Sequence, residues 1–189
     1  MTYVCTRLAP AEFFSCVDEL GALLADVVQG GSSLGFLRGL TPDEAATWWR
    51  DSVGPSVERG GTAVWAATDM DETGRARCVG TVSLAFADKP NGRHRAEVIK
   101  LMVHDSARGT GLGRTLLATA ERAAAEAGVT LLVLDTETGS PAENFYRKAG
   151  WDEVGVIPDY AADPSGVLHP TTLFCKRLEP LVPVGDCQE

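Results

Sequence analysis

Between an apolar run from Ala96 to His104 and a helix-patterned run from Leu112 to Ala127 lies Arg108-Gly109-Thr110-Gly111-Leu112-Gly113. Glycines crowded at a strand-to-helix junction restrict what can be built there. Glycine takes backbone conformations closed to other residues and lets a ligand come close to the main chain. A helix that begins here aims its first unsatisfied N–H groups, and the positive end of its dipole, at the loop. The stretch therefore describes an anion cradle opening a helix, of the kind that holds a phosphate. Spacing removes two such cradles from consideration. Gly109, Gly111 and Gly113 read G-x-G-x-G, one residue short of the dinucleotide fingerprint, and no Lys-Ser/Thr pair follows as a P-loop requires. What remains is Arg-x-x-Gly-x-Gly, on Arg108, Gly111 and Gly113. By itself this is equally a turn that joins a strand to a helix.

The flanks narrow it. Ala96-Glu97-Val98-Ile99-Lys100-Leu101-Met102-Val103 is a strand in which a carboxylate precedes a Leu-x-Val step. Leu131-Leu132-Val133-Leu134-Asp135 is a short apolar run closing a helix-to-strand crossover, the pattern of a buried parallel strand. Asn144-Phe145-Tyr146-Arg147-Lys148-Ala149-Gly150-Trp151 supplies an F-Y-x-x-x-G-W segment. In these motifs and this order the chain resembles the GNAT superfamily of acetyl-coenzyme A-dependent N-acetyltransferases. Within it, Gly30 to Phe36, Lys89-Pro90-Asn91-Gly92, Leu134 to Glu137 and Leu168-His169-Pro170 resemble the tabtoxin-resistance acetyltransferases. That likeness runs from about Arg7 to Lys176.

The resemblance implies an α/β fold: a mixed, mostly antiparallel twisted sheet of about seven strands flanked by about four helices. It implies one acetyltransferase domain over residues 1–180 and a disordered tail over 181–189. It places acetyl-CoA as co-substrate, with no metal. Its pyrophosphate would lie on Arg108, Gly109, Thr110, Gly111, Leu112, Gly113 and Arg114. Backbone N–H groups at Leu101, Met102 and Val103 would face the thioester carbonyl. Many family members carry an Asn seven residues before the motif tyrosine; here that position is Gly139, and the following Ser140 is left to take part of the coenzyme contact. The acceptor pocket would draw on Ser33, Phe36, Trp48 and Tyr160, with Trp49 beside them, although such aromatics are as readily core.

Three residues are candidates for the chemistry. Acyl transfer from a thioester to an amine needs a base, oxyanion donors and an acid for the leaving thiolate. Glu97 is the first candidate base; the alternative is a strand glutamate paired with Arg95 or Lys100. Asp135 would share base duty through water, or else cap the turn at Thr136 to Gly139. Tyr146 is the candidate acid, or else a half-buried helix aromatic. His169 reads as a loop or packing residue.

Composition supports an ordinary globular domain. With 17 basic and 26 acidic residues the net charge is −9, opposite in sign to a nucleic-acid binder and favourable to a cationic acceptor, although solubility alone explains it. No apolar run approaches the ~18–20 residues of a membrane span, and no signal-peptide pattern opens the chain. Cys5, Cys16, Cys78, Cys175 and Cys187 are scattered and odd in number, which points to a reducing, cytoplasmic setting. No metal-ligand spacing is present among the cysteines and His94, His104 and His169.

Several elements follow from pattern. A first strand spans Tyr3 to Arg7. One helix runs from Pro10 to about Val28, with Phe13, Phe14, Val17, Leu20, Leu23 and Leu24 as its apolar face. Thr41-Pro42-Asp43-Glu44 opens another through a capping box. Strands cover Thr62 to Thr68 and Cys78 to Phe86, separated by a turn over Asp69 to Gly74. Lys89 to Gly92 turns into the central strand, and Trp151 to Ile157 and Thr171 to Lys176 close the sheet. The functional expectation is an enzyme, monomeric or homodimeric, that acetylates a primary amine of a small antibiotic or toxin. The acceptor is either a tabtoxin-like amino acid or an aminoglycoside-type drug such as kasugamycin. The rivals are a protein, peptide or polyamine acetyltransferase, and a non-catalytic coenzyme A sensor.

Overall fold

A computed structural model of the chain describes residues 3, 5–32, 34–70 and 76–179. Ser33, most of the turn beyond Met70 and the 181–189 tail lie outside the described residues.

The strands are β1 (Cys5–Arg7), β2 (Thr62–Met70), β3 (Ala76–Phe86), β4 (Arg95–Val103), β5 (Leu131–Glu137), β6 (Asp152–Ala162) and β7 (Leu168–Arg177). They form one sheet in the order β1-β2-β3-β4-β5-β7-β6. β4 and β5 run parallel; the other neighbours are antiparallel. This is the mixed, mostly antiparallel sheet expected.

The helices are α1 (Pro10–Ser15), α2 (Val17–Gln29), α3 (Pro42–Trp48), α4 (Gly54–Glu58), α5 (Leu112–Glu126) and α6 (Pro141–Lys148). The single helix expected from Pro10 is broken at Cys16, whose φ of −103° and ψ of 2° leave the helical well. The break has a packing reason. α1 lies on α4 and α2 on α3, with Phe13 fully buried edge-on to Trp49, and one straight helix could not serve both neighbours. Thr41 opens α3 as expected. Its hydroxyl accepts the Glu44 amide at 3.2 Å, and the Glu44 carboxylate accepts the Thr41 amide at 2.9 Å. α3 then passes through a π-helical stretch, Trp49–Val53, into α4, which apolar periodicity alone does not reveal. A Cβ at Gly21 would come within 2.6 Å of the Ala46 backbone nitrogen, so α2 and α3 cross at backbone contact.

The helices divide between the two faces of the sheet. α5 and α6 pack with Val79, Val82, Leu84, Ala96, Val98, Leu132 and Leu134. α1 to α4 pack with Val64, Ala66, Cys78 and Met102 on the other face. β4 changes sides between them. Ala96 and Val98 face α5, yet Met102, of the same parity, faces α2. The register explains it: Met102 pairs with Thr81 but Ile99 with Ser83, so Lys100 and Leu101 together oppose Val82. That extra residue is a β-bulge, and one added residue turns every later side chain over. Lys100 absorbs it in a left-handed conformation, φ 52°.

Candidate active site

The parallel pairing of β4 with β5 is short. Arg95 pairs with Leu131, Ala96 with Leu132 and Glu97 with Val133, and there it stops. β4 continues to Val103 and β5 to Glu137, leaving a fork between them. The β5-facing edge of β4 at Leu101 to Val103 therefore carries no strand partner.

Glu97 closes the apex of the fork. Leu132 and Leu134 face α5, so Asp135 points the other way, to the face Glu97 occupies. The two carboxylates thus share a face, one at the apex and one two residues beyond it. Both residues remain exposed at the surface, but partial burial still pushes Glu97 above the usual carboxylate range, and the negative Asp135 adds to the rise; Arg95 and Lys100 oppose it. Burial raises Asp135 as well, with Lys100 opposing. Both therefore hold protons more tightly than free carboxylates, which suits bases working near neutral pH. Asp135 does not cap the following turn. β5 runs past it to Glu137, and the turn is held by Glu143, whose carboxylate accepts the Gly139 amide at 2.9 Å.

Lys100 is the residue that sequence reading assigned no role beyond pairing Glu97. Its ammonium donates to the Leu34 carbonyl at 2.7 Å and stands 5.4 Å over the Phe36 ring and 5.0 Å over Trp48. Its pKa is lowered by burial, with Asp135 and Glu97 pulling the other way. A lysine inside the apolar stretch from Val98 to Val103 was the available signal.

Tyr146 sits on the opposite face. It is buried among Phe145, Trp151 and Phe174, with ring centroids 5.3 to 6.1 Å away. It is buried rather than half-buried, and burial together with Asp135 raises its phenol above the ordinary range. Asp135 thus acts on Tyr146 although they belong to different faces, and the open fork lies between β4 and Asp135's strand.

The glycine loop opens α5 as expected. Gly109 (φ 75°) and Gly111 (φ 88°) are left-handed, Gly111 is the N-cap, and a Cβ at either would meet nothing within 4 Å. That is an open cradle facing the first turn of a helix, and it fits a pyrophosphate. Thr110 bonds the Ala107 carbonyl at 2.7 Å, Leu112 is buried in the core, and Arg108 is folded back on Asp105 at 2.8 Å. A shallow recess of about 520 Å³ continues along α5, lined by Gly111, Arg114, Thr115, Ala118, Thr119 and Arg122. Arg122 was not anticipated. Ser140 uses its hydroxyl to cap α6, accepting the Glu143 amide at 3.3 Å.

Of the residues expected to meet the acceptor, Phe36 and Trp48 meet edge to face at 5.2 Å. Trp49 packs edge to face on Trp48 at 5.0 Å, but it is fully buried and donates to the Leu20 carbonyl at 3.2 Å. Tyr160 stands on β6 and is 51% exposed. The loop that carries Phe36 runs on to Arg38, whose amide donates to the Pro164 carbonyl at 2.7 Å. One loop therefore spans from the β4 bulge to the β6–β7 turn. Beside that turn His169 reaches Asp163 at 3.2 Å. Among the described residues no His, Cys, Asp and Glu group could hold a metal, and no helix is long and apolar enough to cross a membrane.

A model of the Acetyltransferase (GNAT) family matches residues 34–151. Solved structures share the fold. A ribosomal-protein-alanine N-acetyltransferase from Brucella melitensis is 24% identical, with TM-score 0.69 over 93% of this chain and 99% of its own. The yncA protein of Salmonella typhimurium, solved with its cofactor acetyl-CoA, is 17% identical, with TM-score 0.69 over 99% and 100%. A protein provisionally assigned as a phosphinothricin N-acetyltransferase is 20% identical, with TM-score 0.71 over 93% and 99%.

Proposed function

Since the chain belongs to the GNAT family of acetyltransferases, we propose that it moves the acetyl group of acetyl-CoA to a primary amine of a small antibiotic or toxin. The observation that carries the reading is the fork: two carboxylates share a face, Glu97 at its apex and Asp135 just beyond, and a glycine cradle opens α5 beyond the C-terminal end of β4.

Gly109 to Arg114 would hold the coenzyme pyrophosphate, with the α5 N-terminus supplying unpaired N–H groups. When bound, the coenzyme supplies the acyl group already activated as a thioester. The unpaired edge of β4 at Leu101 to Val103 would donate to the carbonyl oxygen as charge develops on it. Glu97 and Asp135 would take the ammonium proton, directly or through water. Tyr146, kept protonated by its burial, would hold the proton that the departing sulfur needs. The acceptor would approach from the Phe36 and Trp48 face, opposite the face of Tyr146.

A small acceptor is supported by the closure at Arg38 and Pro164, which bridges one flank where an extended peptide would need an open trough. An amine-bearing drug or toxin is further supported by the tabtoxin-resistance resemblance outside the glycine loop, and by the likeness to the phosphinothricin protein. Between a tabtoxin-like amino acid and a kasugamycin-like sugar, the net charge of −9 leans toward the cation. The reducing, cytoplasmic setting rests on the scattered cysteines. Peptide acetylation is the second reading, supported by the ribosomal-protein enzyme's similar fold.

Acetylation removes a positive charge and a donor from the drug. Losing a charged hydrogen bond costs roughly 1.5–3 kcal/mol, or about 10- to 100-fold in potency. The test is the inhibitory concentration of amine antibiotics, kasugamycin and tabtoxin included, for cells with and without the gene. A shift for at least one drug supports the reading. No shift, with purified protein acetylating peptides or polyamines rapidly, replaces it with the second.

A further inference from the structure

We propose that Lys100 is a positioning residue that latches the acceptor loop onto the β4 bulge and sets the charge seen by the catalytic carboxylates. The inference rests on the acetyltransferase reading above and adds to it a residue that the reading does not use.

Three independent features meet at this side chain. The first is its backbone. A non-glycine residue at φ 52° is strained, and such strain persists only where the surroundings over-determine it. The bulge places Lys100 where β4 has just left β5. The second is what its ammonium touches. It donates to the carbonyl of Leu34 and lies over the rings of Phe36 and Trp48, so one cation gathers two residues of the α2–α3 loop and one of α3. The same loop is fixed four residues on, where the Arg38 amide bonds Pro164 of the β6–β7 turn. Lys100 is thus the inner anchor of a strap whose outer anchor is the hairpin. The third is electrostatic. Asp135 and Glu97 both feel the lysine, Arg95 acts on Glu97, and Tyr146 feels Asp135. Lys100 is the cation on the acceptor face that acts on both carboxylates.

Cation–aromatic contacts strengthen as water is excluded, and a charged donor on a carbonyl outweighs a neutral one. Removing the ammonium should therefore free the strap and leave the carboxylates without their positive neighbour. Glu97 and Asp135 would then keep their protons to higher pH. A base works only when ionised, so the acid limb of the pH profile moves up.

Lys100→Met and Lys100→Arg carry the same backbone strain as the wild type, and so isolate the side-chain charge. The first readout needs no acceptor: exchange of the Arg38 amide proton, followed by NMR on the full chain. Lys100→Met should speed it roughly 10- to 100-fold while core amides of β3 and α5 hold their rates. Lys100→Arg should stay near wild type. The second readout is the pH dependence of kcat/KM with an acceptor the wild type turns over. Its acid limb should rise in Lys100→Met and return in Lys100→Arg, with acceptor KM raised more than kcat is lowered. Unchanged Arg38 exchange in Lys100→Met overturns the latch, and so does an acid limb that stays in place. Should Lys100→Met unfold, Lys100→Arg decides: Arg38 exchange as fast as in an unprotected loop, despite a retained cation, also overturns it. If the wild type acetylates no amine, the functional reading fails, while Arg38 exchange still tests the latch.

Discussion

In the proposed mechanism, two carboxylates on one face of a split sheet share the removal of a proton. Neither Glu97 nor Asp135 is the other's equivalent: Glu97 sits at the apex and Asp135 on the strand that has parted from it. If both act through water, Glu97→Gln and Asp135→Asn should each lose about 10- to 10³-fold in turnover, and the double variant more. Steady-state rates at neutral pH check this, and a fully active double variant removes both from the mechanism. Their raised pKa values also have a sign. Each must be ionised to act, so kcat/KM should rise with pH through a limb lying above the ordinary carboxylate range. Tyr146→Phe keeps the ring packed against Trp151 and Phe174 and loses only the hydroxyl. A fall in kcat with unchanged KM values is expected if the phenol protonates the sulfur, since that interaction exists only in the transition state. Weaker coenzyme binding at unchanged turnover would make it a binding residue.

At the scale of elements, the loop before α5 makes separable predictions. Gly111 is left-handed, so Gly111→Val should strain the backbone by about 1–3 kcal/mol and weaken acetyl-CoA binding by calorimetry. Gly113 lies inside α5 and a Cβ there meets Val103 and Phe145 at ordinary distances, 3.7 and 3.8 Å. Gly113→Ala should therefore leave the melting temperature unchanged or slightly raised. The β5–α6 junction rests on Glu143. Bonds from Arg147, Thr172 and Gly139 hold its carboxyl down at about 2. Because the folded pKa lies below the unfolded value, this stability is full above about pH 4.5 and is lost as pH falls toward 2. Glu143→Gln should cost roughly 1–3 kcal/mol in denaturant melts at neutral pH and flatten that acid dependence. These elements also mark what a sequence can disclose. The cradle, the capping box at Thr41 and the parallel run at Leu131 were legible because each rests on local chemistry. The break at Cys16, the π-helical stretch at Trp49 and the bulge at Lys100 were not. Each is decided by what a distant element needs: Phe13 against Trp49, and β4 turned over to face α2. Glu97, Asp135 and Tyr146 could be put forward as candidates from local motifs alone, while Lys100 drew attention only once Leu34, Phe36 and Trp48 were seen around it.

The whole molecule sets a division of labour across the sheet. α5 and α6 pack on the face that holds Tyr146; α1 to α4 pack on the other face, to which the exposed carboxylates and the aromatic pair belong; the fork joins the two sides. The stretch from Leu34 to Arg38 ties the Lys100 end of β4 to the β6–β7 turn, on the side proposed to meet the acceptor. An excess of acidic residues over the chain surrounds this arrangement, so an acceptor chosen by charge should bind more weakly as salt rises, with a Debye length of about 8 Å at physiological ionic strength. Free coenzyme A thiol released from acetyl-CoA reads acyl transfer at the fork most directly. Wild type and the Glu97→Gln/Asp135→Asn double variant would be assayed side by side over amino acids, polyamines, peptides and amine antibiotics. Thiol release with at least one small amine, and its near loss in the double variant, are expected. Release that is equal in both proteins, or absent with every amine while acetyl-CoA binds normally, would contradict acyl transfer at the fork.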